Sequence, residues 1–152
     1  HWARGQAFYG VAALEKARDL LPGDWRPWSL LGAAYEQVRR HDDAEAAWRQ
    51  ALVLSPDNPA VLTNMAMAQM AADDLPGAET LLRRATAQSG ATMQMRLNLA
   101  LVLGLQGKTG EAEALLRRDL PPEQADRNLQ WLRDRTKPEQ ATTAGRTWGS
   151  LQ

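Results

Sequence analysis

The stretch WSLLGAAYEQVRRHDDAEAAWRQALVLSP, residues 28–56, contains two apolar segments with helical spacing, separated by a polar bend. Gly32 lies in the first segment, and Ala44 precedes Trp48 by about one helical turn in the second. Because Gly32 and Ala44 have almost no side chain, two helices can approach closely at these points while larger side chains fill the flanks. The stretch therefore predicts a helical hairpin.

The same pattern recurs at a period of 34 residues. Shifting the chain against itself by this period aligns small residues with small ones and large apolar residues with large ones. Such a period indicates stacked units that bury their apolar faces against one another. The aligned sets are Ala44, Ala78 and Ala112; Trp48, Leu82 and Leu116; Leu31, Met65 and Leu99; and Gly32, Ala66 and Ala100.

The first unit resembles the tetratricopeptide (TPR) motif, W-x2-L-G-x2-Y followed by A-x3-F and proline. The resemblance implies an all-α fold, a right-handed α-solenoid of tetratricopeptide helical hairpins with a C-terminal capping helix. Later units depart from the motif, since the proline position becomes Gly90 and then Gln124. The matching residues are Trp28, Leu31, Gly32, Tyr35, Ala44, Trp48 (in place of phenylalanine) and Pro56.

The repeat pattern also predicts how the chain is divided. We expect the TPR domain over residues 1–135 and a polar tail over 136–152, where Trp148 and Leu151 would anchor the tail on its own stack or on a neighbouring molecule. At the closest helix contact we expect Gly32→Leu to be destabilising and Gly32→Ala to be mild. Within the domain we expect a half repeat over 4–21, full repeats over 25–58, 59–92 and 93–126, and a capping helix over 122–135.

Composition excludes several classes of function. Lys and Arg total 18 and Asp and Glu total 18, so the basic excess of a nucleic-acid-binding protein is missing. Without cysteine there can be no disulfide, thiolate nucleophile or cysteine-ligated zinc. No apolar run approaches the ~18 residues of a membrane span. Since His1 is not an initiator methionine, we expect the chain to be truncated or processed, so that any targeting segment would lie outside it.

Two stretches contain residues that could bind phosphate or a metal ion, but neither predicts a catalytic, cofactor or metal site. GLQGKTG, residues 104–110, lacks the first glycine of a phosphate-binding loop, because Val102 stands there. HDDAE, residues 41–45, lies at the bend of the first hairpin, where Asp42 or Asp43 can cap the next helix. Asp73 and Asp74 recur near the same place in the second unit. We therefore expect a protein that is not an enzyme.

The TPR resemblance implies that the first helix of each pair lines a concave groove. Counted from Pro59, Asn64, Met67 and Met70 occupy positions that face this groove in the family, whereas Met65 belongs to the core. Methionine suits a surface that moulds to an apolar partner, and asparagine can hydrogen-bond a peptide backbone. Alternatively, the leucines are further core and the asparagines are solvated. The candidate partner-binding residues are Asn64, Met67, Met70, Leu97, Asn98, Leu101, Leu105 and, from the cap, Trp131.

Residues 25–135 also resemble the TadD lipoproteins of the Flp, or tight-adherence, pilus assembly system. The resemblance runs from SPDNPAVLTNMAMAQ through GAETLLRRA and LNLALVLGLQGKTGEAEALLRRDLPP to NLQWLR. It implies a periplasmic protein, anchored in the outer membrane by a lipid on a cysteine outside this chain. It further implies a pilotin-like role, in which the partner is an outer-membrane secretin subunit or its terminal segment.

We therefore expect an adaptor that binds a partner segment in its concave groove. Two alternatives stay open, a cytosolic TPR adaptor of the chaperone type and a scaffold that self-associates. Chaperone-type grooves usually carry a basic clamp for a terminal carboxylate, whereas this groove has only Arg26 and Arg96. No nucleic acid, cofactor or metal is expected to bind.

Overall fold

The computed structural model describes residues 2–136, with side chains described from Gly10 onward. The predicted tail anchors Trp148 and Leu151 lie outside the described residues. Within residues 2–136 the chain forms eight helices and no strand. They are α1 (Trp2–Leu20), α2 (Trp25–Gln37), α3 (His41–Leu54), α4 (Pro59–Ala71), α5 (Leu75–Thr86), α6 (Met93–Leu105), α7 (Thr109–Asp119) and α8 (Pro122–Arg135).

Consecutive helices pack in pairs along a solenoid. The most extensive contacts join α2 to α3 and α4 to α5, and the contacts of α6 with α7 and of α1 with α2 come next and are equal in extent. α8 packs against both α6 and α7 and covers the C-terminal end of the stack. The predicted fold class, an all-α solenoid with a C-terminal capping helix, is confirmed. No helix between Trp2 and Arg135 is both long and apolar enough to cross a membrane.

Local capping explains several helix boundaries. Asn58 precedes α4, and its Oδ1 accepts hydrogen bonds from the backbone N–H groups of Ala60 at 3.0 Å and Val61 at 3.3 Å. Asp74 caps α5 in the same way by accepting from the N–H of Gly77 at 3.0 Å. These bonds satisfy donors that a helix leaves unpaired at its start.

The bend of the first hairpin is built differently from the expectation. α3 begins at His41, so Asp42 and Asp43 lie in its first turn and neither is its N-cap residue. Both still oppose the helix dipole there. Asp43 instead pairs with Arg40 across 2.7 Å. The predicted capping role is therefore wrong for these two residues, although it holds for Asp74.

The closest helix contact joins Gly32 of α2 to Trp48 of α3. A Cβ atom added at Gly32 would overlap the indole ring of Trp48, which is buried and donates its Nε1–H to the carbonyl oxygen of Ser29 at 3.2 Å. Gly32→Ala therefore requires the Trp48 ring to shift, and this contact predicts a destabilising substitution in place of the mild one. Ala66 and Ala100 tolerate their Cβ atoms because the position of Trp48 is taken by the smaller Leu82 and Leu116.

Two clusters of buried side chains form the core. The N-terminal cluster surrounds Leu31 and Trp48, and the C-terminal cluster surrounds Leu82, Leu103 and Leu129. α4 contributes to both, with Val61 in the first cluster and Ala66 in the second. α4 is thereby held between the two neighbouring units.

Candidate functional site

A cavity of about 270 Å³ lies between α2 and α4, the first helices of two successive pairs. Asn64 and Met67, two of the predicted partner-binding residues, line it together. They lie three residues apart, which places them on one face of α4. We call this cavity the groove cavity. Its lining residues are Ala33, Glu36, Gln37, Trp48, Asn64, Met67, Ala68 and Ala71.

The other apolar candidates are partly buried. Met70, Leu97, Leu101 and Leu105 all pack against the C-terminal core cluster and keep part of their surface exposed. They therefore contribute to the stack as well as to its surface. We predict that these side chains and Met67 form one continuous apolar strip.

The capping helix α8 covers the C-terminal part of α6. Gly104 occupies the position in α6 that Met70 occupies in α4. A Cβ atom at Gly104 would overlap Leu132 of α8, so α8 covers α6 at this point. Trp131, the candidate from the cap, is 44% exposed, and its ring lies 4.1 Å from the guanidinium carbon of Arg135.

The two predicted asparagines have different surroundings. Asn98 is partly exposed, and its Oδ1 accepts a hydrogen bond from Nε2 of Gln94 at 3.1 Å within α6. Asn64 instead lines the groove cavity. Since the Asn98 amide retains its NH2 donors, both residues can still donate to the carbonyl groups of a bound chain.

The two arginines of the predicted groove are held by acidic residues of the protein itself. Arg96 donates from Nε and Nη2 to the two carboxylate oxygens of Asp119, at 2.9 and 3.1 Å. Arg26 donates to Asp24 at 2.6 Å and lowers the pKa of that carboxyl to about 2. Their charges are thus compensated within the chain, which is the opposite of a basic clamp prepared for a terminal carboxylate.

A carboxylate joins the second unit to the third. Glu79 of α5 is only 9% exposed and accepts hydrogen bonds from Nε of Arg83 at 2.7 Å, Nε2 of Gln106 at 2.8 Å and Nζ of Lys108 at 2.8 Å. The Lys108 ammonium, followed by Arg83, lowers the Glu79 pKa to about 2. Lys108 belongs to the GKT stretch and lies in the turn between α6 and α7, where it binds this carboxylate.

Sequence reasoning missed a second cavity, of about 430 Å³, beside the groove cavity. We call it the junction cleft. It lies between the α2–α3 bend and α4 and shares Glu36, Trp48, Ala68 and Ala71 with the groove cavity. The feature of the sequence that could have indicated this cavity is the run of small residues in α4. Its lining residues are Glu36, Arg39, His41, Asp42, Glu45, Trp48, Met65, Ala68, Gln69, Ala71 and Ala72.

The described residues offer no site for a metal ion. Among them, no group of three or more His, Asp or Glu side chains is arranged to hold one. His41 places its Nδ1 at 2.9 Å from Oε1 of Glu36, as a local pair at the cleft rim.

Comparison with known proteins agrees with this architecture. Residues 39–95 match a family model described as a tetratricopeptide repeat. The fold places the chain in the structural class of tetratricopeptide solenoids. No curated protein sequence matches the chain significantly.

Solved structures give the likeness in more detail. Two crystal structures of MamA are each 18% identical over 87% of this chain, with TM-scores of 0.68 and 0.69, and the match covers 74% and 80% of those chains. PilW, described as a widely conserved type IV pilus biogenesis factor, is 24% identical over 78% of this chain, with a TM-score of 0.66. The match covers only 56% of the PilW chain. At these identities the likeness shows the fold alone.

Proposed function

We propose that this protein is an adaptor that binds a segment of another protein in the concave groove lined by α2, α4 and α6. The observation that carries the proposal is the groove cavity, in which Met67 supplies an adaptable apolar surface and Asn64 supplies hydrogen-bonding groups. An extended peptide that lies across α4 can make both contacts. Its apolar side chains can pack on Met67 while its backbone hydrogen-bonds to the side-chain amide of Asn64.

We further propose that the partner is the outer-membrane secretin of a tight-adherence pilus, with this protein acting as its pilotin-like assembly factor. The resemblance of residues 25–135 to the TadD lipoproteins supports this proposal, and so does the shared fold with a pilus biogenesis factor. In this role the protein works in the periplasm, held at the outer membrane through a lipid on a segment outside this chain.

The groove electrostatics favour this proposal over a chaperone-type adaptor. A clamp for a terminal carboxylate needs free cationic groups, whereas Arg96 and Arg26 are paired with Asp119 and Asp24. A self-associating scaffold is the second alternative, and sedimentation at several protein concentrations separates it from an adaptor. The adaptor should remain at one molecular mass.

The expected affinity follows from the area of the strip. Burying ~500 Å² of apolar surface at ~25 cal/mol per Å² contributes ~12 kcal/mol before the cost of association. Association and ordering of the peptide consume a large part of this. A dissociation constant between about 1 nM and 1 µM is therefore expected.

The test is a fluorescence-anisotropy titration of overlapping peptides from the termini of the secretin. Leu101→Glu should abolish binding because it puts a charge into the apolar contact, and Asn98→Ala should weaken it by ~0.5–1.5 kcal/mol. Val53→Glu is the matched control, since Val53 lies on α3 and is 70% exposed. Circular dichroism must show unchanged helix content in each variant.

Two outcomes would contradict the proposal. If folded Leu101→Glu protein binds as tightly as the parent, the binding surface lies elsewhere. If no secretin peptide binds the parent, the secretin is not the partner.

A further inference from the structure

The junction cleft differs in charge from the corresponding place one repeat later. At the later place, Glu79 accepts from Nζ of Lys108 and Nε2 of Gln106, both at 2.8 Å. The residue equivalent to Glu79 in the preceding unit is Glu45, and the residues equivalent to Lys108 and Gln106 are Asp74 and Ala72. At the contact between the first and second units, which we call the first junction, Glu45 therefore repeats the carboxylate of Glu79, but no lysine stands at the position of Lys108.

The two junctions also differ in volume. Val102, Leu103 and Leu105 fill the later junction, and the first two are fully buried. At the first junction the equivalent residues are Ala68, Gln69 and Ala71, which all line the junction cleft. The space that larger side chains occupy in one junction is thus left open in the other.

The walls of the cleft combine negative charge with an apolar floor. Glu36, Asp42 and Glu45 supply three carboxylates, against the single guanidinium of Arg39. His41 is paired with Glu36 at 2.9 Å, and Glu45 is paired with Arg49 at 2.7 Å, as Glu79 is with Arg83. The floor contains Trp48, Met65 and Ala68.

We propose that the junction cleft receives a lysine side chain from the segment bound in the groove. The ammonium group would sit at Glu45 as that of Lys108 sits at Glu79, and the aliphatic stem would pack over Trp48 and Met65. A segment lying over Asn64 and Met67 reaches the cleft directly, because the two cavities share four lining residues. The occupant named here rests on the proposed function, while the chemistry of the cleft can be tested without the partner.

The probe for that test is n-pentylammonium, which carries the stem and charge of a lysine side chain. It is titrated into the 15N-labelled chain at pH 7 and constant ionic strength, with n-pentanol as the neutral control. Pentylammonium should produce saturable shifts at the Trp48 indole N–H and at the amides of Ala68 and Ala72. Pentanol should bind at least about threefold more weakly, which is the order of one exposed ion pair.

Substitutions show whether pentylammonium binds in the junction cleft or elsewhere on the surface. Glu45→Gln should weaken pentylammonium binding about threefold, and Glu113→Gln, at the equivalent place in the third unit, should leave it unchanged. Asp74→Lys should abolish the saturable shifts, because the introduced side chain occupies the cleft from within. Asp74→Ala, which loses the same N-cap of α5, should keep them. Equal binding of pentanol and pentylammonium, absence of saturable shifts, or full binding to Glu45→Gln would each overturn the inference.

The peptide titration and the pentylammonium titration can fail independently of each other. Leu101→Glu should no longer bind secretin peptides but should still bind pentylammonium. If the parent binds pentylammonium but no secretin peptide, the proposed function fails while the chemistry of the cleft stands. In a peptide that binds the groove, replacing its lysine by norleucine should weaken binding to the parent several-fold and leave binding to Glu45→Gln unchanged. A tightly bound peptide without a basic residue would overturn the assignment of the occupant.

Discussion

Replacing Glu79 with glutamine tests the polar link between the second and third units. Glutamine keeps the shape of the side chain and one acceptor oxygen, so the contact with Gln106 can survive. The charge-assisted bonds to Lys108 and Arg83 are lost. Both cations are nearly half exposed, so each pair contributes ~0.2–1 kcal/mol, and the loss of the two at pH 7 should be ~0.4–2 kcal/mol.

The pH dependence of this loss has a defined sign. The pKa of Glu79 falls from its ordinary 4.5 to about 2 in the folded protein. A carboxyl with a lowered folded-state pKa stabilises the protein above its unfolded pKa and loses that contribution as the pH falls. The difference between parent and Glu79→Gln should therefore be constant above pH ~5 and disappear as the pH falls from about 4.5 towards 2.

The assay is urea unfolding followed by circular dichroism at pH values between 7 and 2.5. Glu45→Gln is the matched control, because Glu45 occupies the same repeat position and pairs only with the exposed Arg49. That control should lose at most ~0.5 kcal/mol. Equal losses for the two variants, or a loss for Glu79→Gln that does not depend on pH, would refute the reasoning.

Three further substitutions test the packing and the buried hydroxyl groups. Gly32→Ala should cost ~1–3 kcal/mol in thermal or urea unfolding, because its Cβ overlaps the buried Trp48 ring; a stability equal to the parent would show that the ring can move aside. Thr63→Val should be neutral or stabilising by up to ~1 kcal/mol, since the Thr63 hydroxyl is buried without a hydrogen-bond partner. Thr86→Val should instead be destabilising, because Oγ1 of Thr86 donates to the carbonyl oxygen of Leu82 at 2.8 Å.

The repeat period predicted the fold because it reports a packing requirement. Each helix pair needs small residues where its helices touch, and Ala44, Ala78 and Ala112 recur at that point, all fully buried. The Asn58–Pro59 pair likewise predicted where α4 begins, because it combines a side-chain cap with a residue suited to the first helical turn. These features depend on neighbours close in the chain or one period away.

Other features could not be predicted, because they depend on how side chains from different units fit together. Gly32 looked interchangeable with alanine until the size of Trp48 was considered beside it. The junction cleft arises because Ala68 and Ala71 of α4, together with Ala72 directly after it, face the bend of another hairpin. A period identifies equivalent positions, but the volume between two units depends on every side chain at their contact.

The central claim is that a partner segment lies against the methionines of α4, and methyl NMR tests it most directly. The chain is labelled with 13C at the methyl groups of its five methionines, and the secretin peptides are added. The methyl signals of Met67 and Met70 should shift as the peptide saturates, while that of Met93, 47% exposed at the start of α6, should stay unchanged. A bound peptide that leaves the Met67 and Met70 signals in place would contradict the claim.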